Sequence, residues 1–160
     1  GRIGVLGTPG TVASLSYPIE LEKWSGGIVK STVQEACPMW VPLVENFELD
    51  TPGTDYFVEK NIRNLLNKDP EIDTVILGCT HYPLLLNTIR KYLPEQIQLI
   101  NQGEVVAEKL VDYLERHPET DSRISRKGSI RYLTTETSET FGMKAGLFLD
   151  ETVEAETVVL

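Results

Sequence analysis

Apolar residues along this chain follow two rhythms that alternate. Short apolar runs bounded by glycine, proline or polar clusters predict strands. Longer stretches with apolar residues at helical spacing predict helices. Ile3 to Leu6 reads as a strand, and Gly7-Thr8-Pro9-Gly10-Thr11 as the turn after it. Thr11 to Leu21 reads as a helix broken near Pro18, Ser25-Gly26-Gly27 as a loop, and Ile28 to Val33 as the next strand. The prolines of Ala36 to Glu45 exclude regular helix at its start, while Val41 to Asn46 can begin one with Pro42 in a first turn. Phe47 to Asp55 is a polar loop. Thr54 is the expected N-cap of a helix over Tyr56 to Leu66 whose apolar side is Phe57, Ile62, Leu65 and Leu66.

After a turn at Asn67 to Ile72, Thr74 to Leu77 is a buried strand, and Leu84 to Leu93 a helix stopped by Pro94. Ile97 to Ile100 is a strand, and Gly103 to Arg116 a helix with Val106, Leu110, Val111 and Leu114 on one side. His117 to Gly128 reads as a charged loop and Ile130 to Thr135 as a strand. Thr137 or Ser138 caps a helix to about Leu149, and Val153 to Leu160 is a last strand. Strand and helix alternate throughout, so the expected class is α/β with parallel strands.

Composition narrows the partners. The 160 residues carry a net charge of −9, with the basic residues gathered only around Arg123 to Lys127, which argues against nucleic acid. A hydrophobic share of 41% with 24% charged residues is ordinary for a globular protein, and no apolar run approaches bilayer length. No signal-peptide pattern opens the chain. The two cysteines make no disulfide framework and read as free thiols in a reducing cytoplasm. The chain opens on a strand with no initiator Met, which leaves room for a preceding segment.

The chemistry concentrates where the central strand ends. Gly78-Cys79-Thr80-His81-Tyr82-Pro83 presents a thiol, a hydroxyl and an imidazole together at the carboxyl end of a buried strand, where open α/β sheets bind ligands. Cys79 can serve as nucleophile, metal ligand or proton carrier. An unperturbed thiol titrates near ~8.5, so a ready base needs a positive neighbour, and the helix expected near Leu84 is one source. His81 stands close enough to pass a proton. The plain alternative is a structural cysteine beside an incidental histidine. Cys37, in Ala-Cys-Pro-Met-Trp, fits no zinc spacing with Cys79 and His81 and reads as a small apolar residue, so no metal is expected. Glu45 is either a solvated helix-end carboxylate or the group that orients His81. Thr8 and Thr11 either cap the next helix or, facing a crevice, offer hydroxyls to a carboxylate.

Taken together, Ile-Gly-Val-Leu-Gly-Thr-Pro-Gly-Thr near the start, Ala-Cys-Pro-Met-Trp-Val-Pro-Leu-Val-Glu, Val-Ile-Leu-Gly-Cys-Thr-His-Tyr-Pro-Leu-Leu, and the closing strand, Ser-Glu-Thr-Phe helix and strand resemble the glutamate racemases. The resemblance implies two facing α/β lobes with the substrate between them. This chain then corresponds to the second lobe over residues 1–100 and, over 101–160, to the segment that returns to complete the first lobe. Most of the first lobe, with its own catalytic cysteine, is absent from the sequence, so the resemblance implies a chain that is N-terminally truncated and inactive alone. It implies cofactor-independent interconversion of L- and D-glutamate by two cysteines, feeding peptidoglycan synthesis and cell shape. The resemblance implies no metal or cofactor, no nucleic-acid or membrane partner is expected from composition, and a homodimer is left open. Cys79 matches the base acting on L-glutamate, His81 its assisting histidine and Glu45 a carboxylate near it. Thr8, Thr11 and Thr80 match substrate-contacting positions. Related aspartate racemases carry a glutamate where this chain has His81, which favours glutamate over aspartate or another amino acid. Asn101-Gln102-Gly103 departs from the family's usual pattern at the crossing between lobes. A non-catalytic dicarboxylate-binding domain and a cysteine hydrolase are the competing readings.

Overall fold

The computed structural model describes residues 1–126 and 128–159. Lys127, within the expected loop and basic cluster, and Leu160, the last residue of the expected final strand, lie outside them. The chain divides into two compact units, Gly1–Leu110 and Val111–Leu160.

The first unit is built on a four-stranded sheet of order β2-β1-β3-β4. Its strands are β1 (Arg2–Gly7), β2 (Ser31–Ala36), β3 (Thr74–Gly78) and β4 (Gln98–Ile100), and all pairings are parallel. The expected α/β class with parallel strands is therefore what the chain forms. Helices α1 (Pro9–Ser14) and α2 (Ser16–Trp24) join β1 to β2. Helices α3 (Trp40–Glu45) and α4 (Pro52–Lys68) carry the chain back past β1 to β3, and α5 (Leu86–Tyr92) leads to β4. The crossovers leave β1 in opposite directions, so the topological switch point lies between β1 and β3.

Alternation along the strands splits the core between two faces. Ile3, Val5 and Ile76 form one cluster, onto which Tyr17, Leu21, Val29 and Ile100 pack. The opposite face meets α4, whose buried residues are Thr54, Val58, Asn61, Ile62 and Leu65. Gly4 lies on that face because α4 presses on it: a Cβ there would stand 2.8 Å from Leu65 Cδ2. At about 25 cal/mol per Å2 of apolar surface removed from water, each fully buried Leu or Ile contributes roughly 1.5–3 kcal/mol.

Several boundaries differ from expectation for local reasons. The first helix breaks at Leu15, whose φ of 56° is left-handed, rather than near Pro18. Pro18 sits in the first turn of α2, where its missing N–H leaves no helical bond unmade. β2 begins at Ser31 rather than Ile28, because Gly26 and Gly27 extend the loop with positive φ and Ile28 is solvent-exposed. Thr51, not Thr54, caps α4: its hydroxyl accepts from the Thr54 amide at 3.4 Å, and Thr54 itself is buried. The helix expected to run from Leu84 is split into a 3-10 turn over Tyr82–Leu85 and α5 from Leu86.

Helix α6 (Gln102–Arg116) spans the boundary between the units and buries none of its residues; Val106 and Leu110 are exposed and Leu114 is half-buried. In the second unit a short helix α7 (Pro118–Asp121) interrupts the expected loop. Strands β5 (Tyr132–Thr134) and β6 (Ala155–Thr157) pair in parallel, joined by α8 (Ser138–Leu149), which Thr137 caps. A Cβ at Gly142 would stand 2.6 Å from the Val153 carbonyl, so α8 lies directly on the backbone leading into β6.

Candidate active site

Strand register gathers three turns at one edge of the sheet. Gly7 at the end of β1 pairs with both Ala36 of β2 and Gly78 of β3. The next residues are therefore neighbours in space: Thr8, Cys37 and Cys79 each leave the carboxyl edge of the sheet at the switch point.

The turn after β3 is tight because Gly78 has no side chain. A Cβ there would stand 3.1 Å from both the Leu6 carbonyl and Tyr17 Cε2. Cys79, half-buried, follows with its Sγ 3.9 Å from His81 Nδ1. Thr80 Oγ1 lies 3.4 Å from the same nitrogen. On the other side of the ring, Nε2 is 3.2 Å from Glu45 Oε1 at the end of α3. An ionised carboxylate only accepts, so Nε2 carries the hydrogen and Nδ1 is left as the acceptor facing the thiol. The structure thus brings Cys79, Thr80, His81 and Glu45 into one chain of polar contacts. The imidazole side chain keeps 23% exposure and the carboxylate 37%, so neither is sealed in the core.

Thr8, on the adjacent turn, caps α1, and Thr11 lies within that helix's first turn. Thr8 Oγ1 accepts from the Thr11 amide at 3.2 Å and lies 2.9 Å from Thr11 Oγ1. Each hydroxyl still has capacity for a further bond. The helix start expected to polarise Cys79 is displaced: α5 begins at Leu86, and a 3-10 turn intervenes. The imidazole is the nearer polarising group.

Cys37 is 1% exposed, its Sγ lies 3.7 Å from the Glu35 carbonyl, and burial foremost pushes its thiol far above the usual range. It is a small core residue, as its surroundings in the sequence suggest.

Two features escaped the sequence. Tyr82, read there as part of a polar turn, is fully buried, and its hydroxyl donates to the Cys37 carbonyl at 3.3 Å. Tyr17 lies over Gly78 and accepts from the Gln102 side chain at the start of α6. Burial chiefly, and then the charge at Cys79, raise its phenol above the ordinary tyrosine value, against the Gln102 bond. No local pattern distinguishes Tyr17 from any other helical aromatic, whereas Gln102 stands out in the sequence as a departure from the family pattern.

The chain is a parallel α/β protein with a thiol, an imidazole and a carboxylate in contact at its switch point, the place where open α/β sheets as a class bind ligands. Its homologues are the glutamate racemases, of which it matches a partial length. It is 34% identical over 153 residues to the glutamate racemase of Synechococcus sp. (strain CC9605), covering 94% of this chain and 56% of that protein. A solved glutamate racemase isoform from Bacillus anthracis superposes with a TM-score of 0.84 at 32% identity, over 99% of this chain and 57% of that one. The glutamate racemase of Francisella tularensis, solved with D-glutamate, shares the fold with a TM-score of 0.83 at 21% identity, over 99% and 57% of the two chains. This chain thus spans little more than half the length of the relatives it matches. No protein-family model matches it. Among the described residues no helix is long and apolar enough to cross a membrane.

Proposed function

We propose that this chain carries one of the two proton-transfer faces of a cofactor-independent glutamate racemase, acting in the cytoplasm to supply D-glutamate for peptidoglycan. The observation that carries the reading is the chain of contacts from Cys79 Sγ to His81 Nδ1 and from His81 Nε2 to Glu45 Oε1, at 3.9 and 3.2 Å, at the carboxyl edge of the sheet. Similarity at 34% identity to a protein named glutamate racemase supports the substrate class.

In the proposed reaction the Cys79 thiol passes its proton to His81 Nδ1, and the resulting imidazolium is steadied by Glu45. The Cys79 thiolate then takes the α-proton of L-glutamate, leaving carbanion-like charge at Cα. A thiol on the opposite face delivers its own proton there, giving D-glutamate, and the reverse reaction exchanges the roles. Each face needs its own group, because a single one cannot reach both sides of a planar carbon. Cys37, buried and held as a neutral thiol, cannot be the second group, which lies outside this sequence. Thr80, beside the ring, and Thr8 and Thr11, on the neighbouring turn, hold the substrate carboxylates with their hydroxyls. Fixed donors of this kind stabilise developing charge without reorganising.

The test uses the full-length protein and circular dichroism of L-glutamate. Replacing His81 with Asn should lower kcat/KM by about 100-fold or more, the usual contribution of a positioned acid–base group. The loss must be equal in both directions, since the equilibrium constant between enantiomers is unity. An activity within about threefold of the unmodified protein would remove His81 from the mechanism.

A further inference from the structure

We propose that Trp40 and Tyr82 are positioning residues, whose edge-to-face contact sets the distance between the Glu45 carboxylate and the His81 imidazole. The inference rests on reading Cys79, His81 and Glu45 as proton-transfer machinery, and it concerns the aromatic residues beside them, of which Tyr82 also donates its amide to the Cys79 carbonyl at 3.3 Å.

Each ring is covalently tied to one half of the carboxylate–imidazole contact. Trp40 is the first residue of α3 and Glu45 the last. Tyr82 directly follows His81. Both rings are fully buried, with centroids 4.7 Å apart and planes at 60°. The Tyr82 hydroxyl is anchored on the Cys37 carbonyl. Trp40 Nε1 donates to Asn61 Oδ1 at 3.1 Å, and Asn61 Nδ2 donates to Glu35 Oε1 at 2.9 Å. Glu35 also accepts from Asn64 at 3.0 Å and from Lys68 at 2.7 Å. The indole is therefore oriented by a buried polar network that runs from β2 to α4, two rigid elements of the first unit.

The lever is short and sensitive. With a rise of about 1.5 Å per residue, Glu45 lies roughly 7.5 Å along α3 from Trp40. A tilt of about 10° at the Trp40 end moves the carboxylate by about 1 Å, which breaks a hydrogen bond of ordinary length. The aromatic contact opposes such a tilt together with buried Val44, because it joins the start of α3 directly to the turn that carries the imidazole.

The experiment reads the site without turnover. Iodoacetamide alkylation, read at the peptide that carries Cys79, reports that thiol, and the ring NMR signals of His81 and His117 report the imidazole and an internal control. Trp40→Phe, which keeps a buried ring, should slow alkylation about tenfold at neutral pH, because the thiolate is the reactive form and needs its partner. It should also shift the His81 ring signals and leave those of His117 in place. In a Glu45→Ala background the same substitution should change alkylation by less than about twofold, since positioning has nothing left to position. The proposal is overturned if Trp40→Phe leaves alkylation and the His81 signals unchanged, or if its effect is equally large without Glu45. Should Trp40→Phe fail to fold, Tyr82→Phe removes only the anchoring hydroxyl and must move both readouts in the same direction; no movement in either overturns the proposal. Failure of the full-length protein to racemise glutamate would sink the functional reading and leave these outcomes standing.

Discussion

Asn61 is the residue on which the buried network turns, and replacing it with Leu keeps the branched heavy-atom skeleton while removing the polar atoms. Asn61 is 6% exposed. It accepts from Trp40 Nε1 at 3.1 Å and donates to Glu35 Oε1 at 2.9 Å and to the Ala36 carbonyl at 3.2 Å. In the variant, Glu35 keeps Asn64 and Lys68, so its loss is partial. Trp40 Nε1 keeps only a 3.5 Å approach to the Phe57 carbonyl. A buried donor left with one long bond costs up to about 1–3 kcal/mol, and the two lost bonds to Glu35 and Ala36 about 1 kcal/mol more, giving at most roughly 2–4 kcal/mol. With an m-value of about 2 kcal/mol per M, the urea midpoint should fall by up to about 1–2 M. The assay is tryptophan fluorescence in a Trp24→Phe background: Trp24 is 74% exposed, whereas Trp40 is fully buried and reports the core of the first unit. A midpoint lowered by less than about 0.3 M at unchanged m would show that the network contributes almost nothing, and would refute this energetic account of why Trp40 is held.

Two further outcomes follow from the same geometry. Gly78→Ala places a methyl 3.1 Å from both the Leu6 carbonyl and Tyr17 Cε2, so the protein should lose about 1–3 kcal/mol by urea unfolding, and the shifted turn should alkylate at Cys79 more slowly; an unchanged midpoint and rate would show that the turn accommodates a side chain freely. Acid should loosen the first unit through three carboxyls. Asp69 is held below its ordinary value chiefly by hydrogen bonds from Arg2 and Ser31, and Asp73 by the Arg2 amide and Thr74. Burial pulls Glu35 upward, but bonds from Lys68, Asn64 and Asn61 outweigh it and leave it lowered as well. A lowered folded-state value means that stability is present above the unfolded value, about 4, and is lost as pH falls below it through the folded values. Far-UV circular dichroism against pH should show Asp69→Asn less stable than the parent at neutral pH, with the difference shrinking towards pH 3; a difference that grows on acidification would reverse the sign and refute the assignment.

What the sequence disclosed and what it hid divide along physical lines. The strand ends were legible because apolar runs stopping at Gly7 and Gly78 give both a period and a stop. Thr8 reads in sequence as a cap or a crevice hydroxyl, and its place beside Cys79 depends on β1 pairing with β3, a strand order the sequence does not give. The start of β2 was hidden because Ile28 is apolar yet exposed, so hydropathy drew the strand too early, and the two left-handed glycines before it look in sequence like any loop. The cap of α4 was misplaced because Thr51 and Thr54 are both plausible caps, and only packing decides which is buried. The roles of Trp40, Asn61 and Glu35 were invisible, since a network joining β2, α3 and α4 has no signature within any one segment. Glu45 was named from the sequence through resemblance; its contact with His81 depends on how α3 docks.

The most direct measurement is solvent exchange at Cα of L-glutamate, followed in D2O by proton NMR for loss of the α-proton and by circular dichroism for the enantiomer, with the full-length protein and its Cys79→Ala variant. The account predicts that the unmodified protein loses the α-proton signal while D-glutamate carrying deuterium accumulates, and that the variant, matched for fold, does neither at a rate within about 1,000-fold of it. D-Glutamate forming at an undiminished rate without the Cys79 thiol would contradict the account.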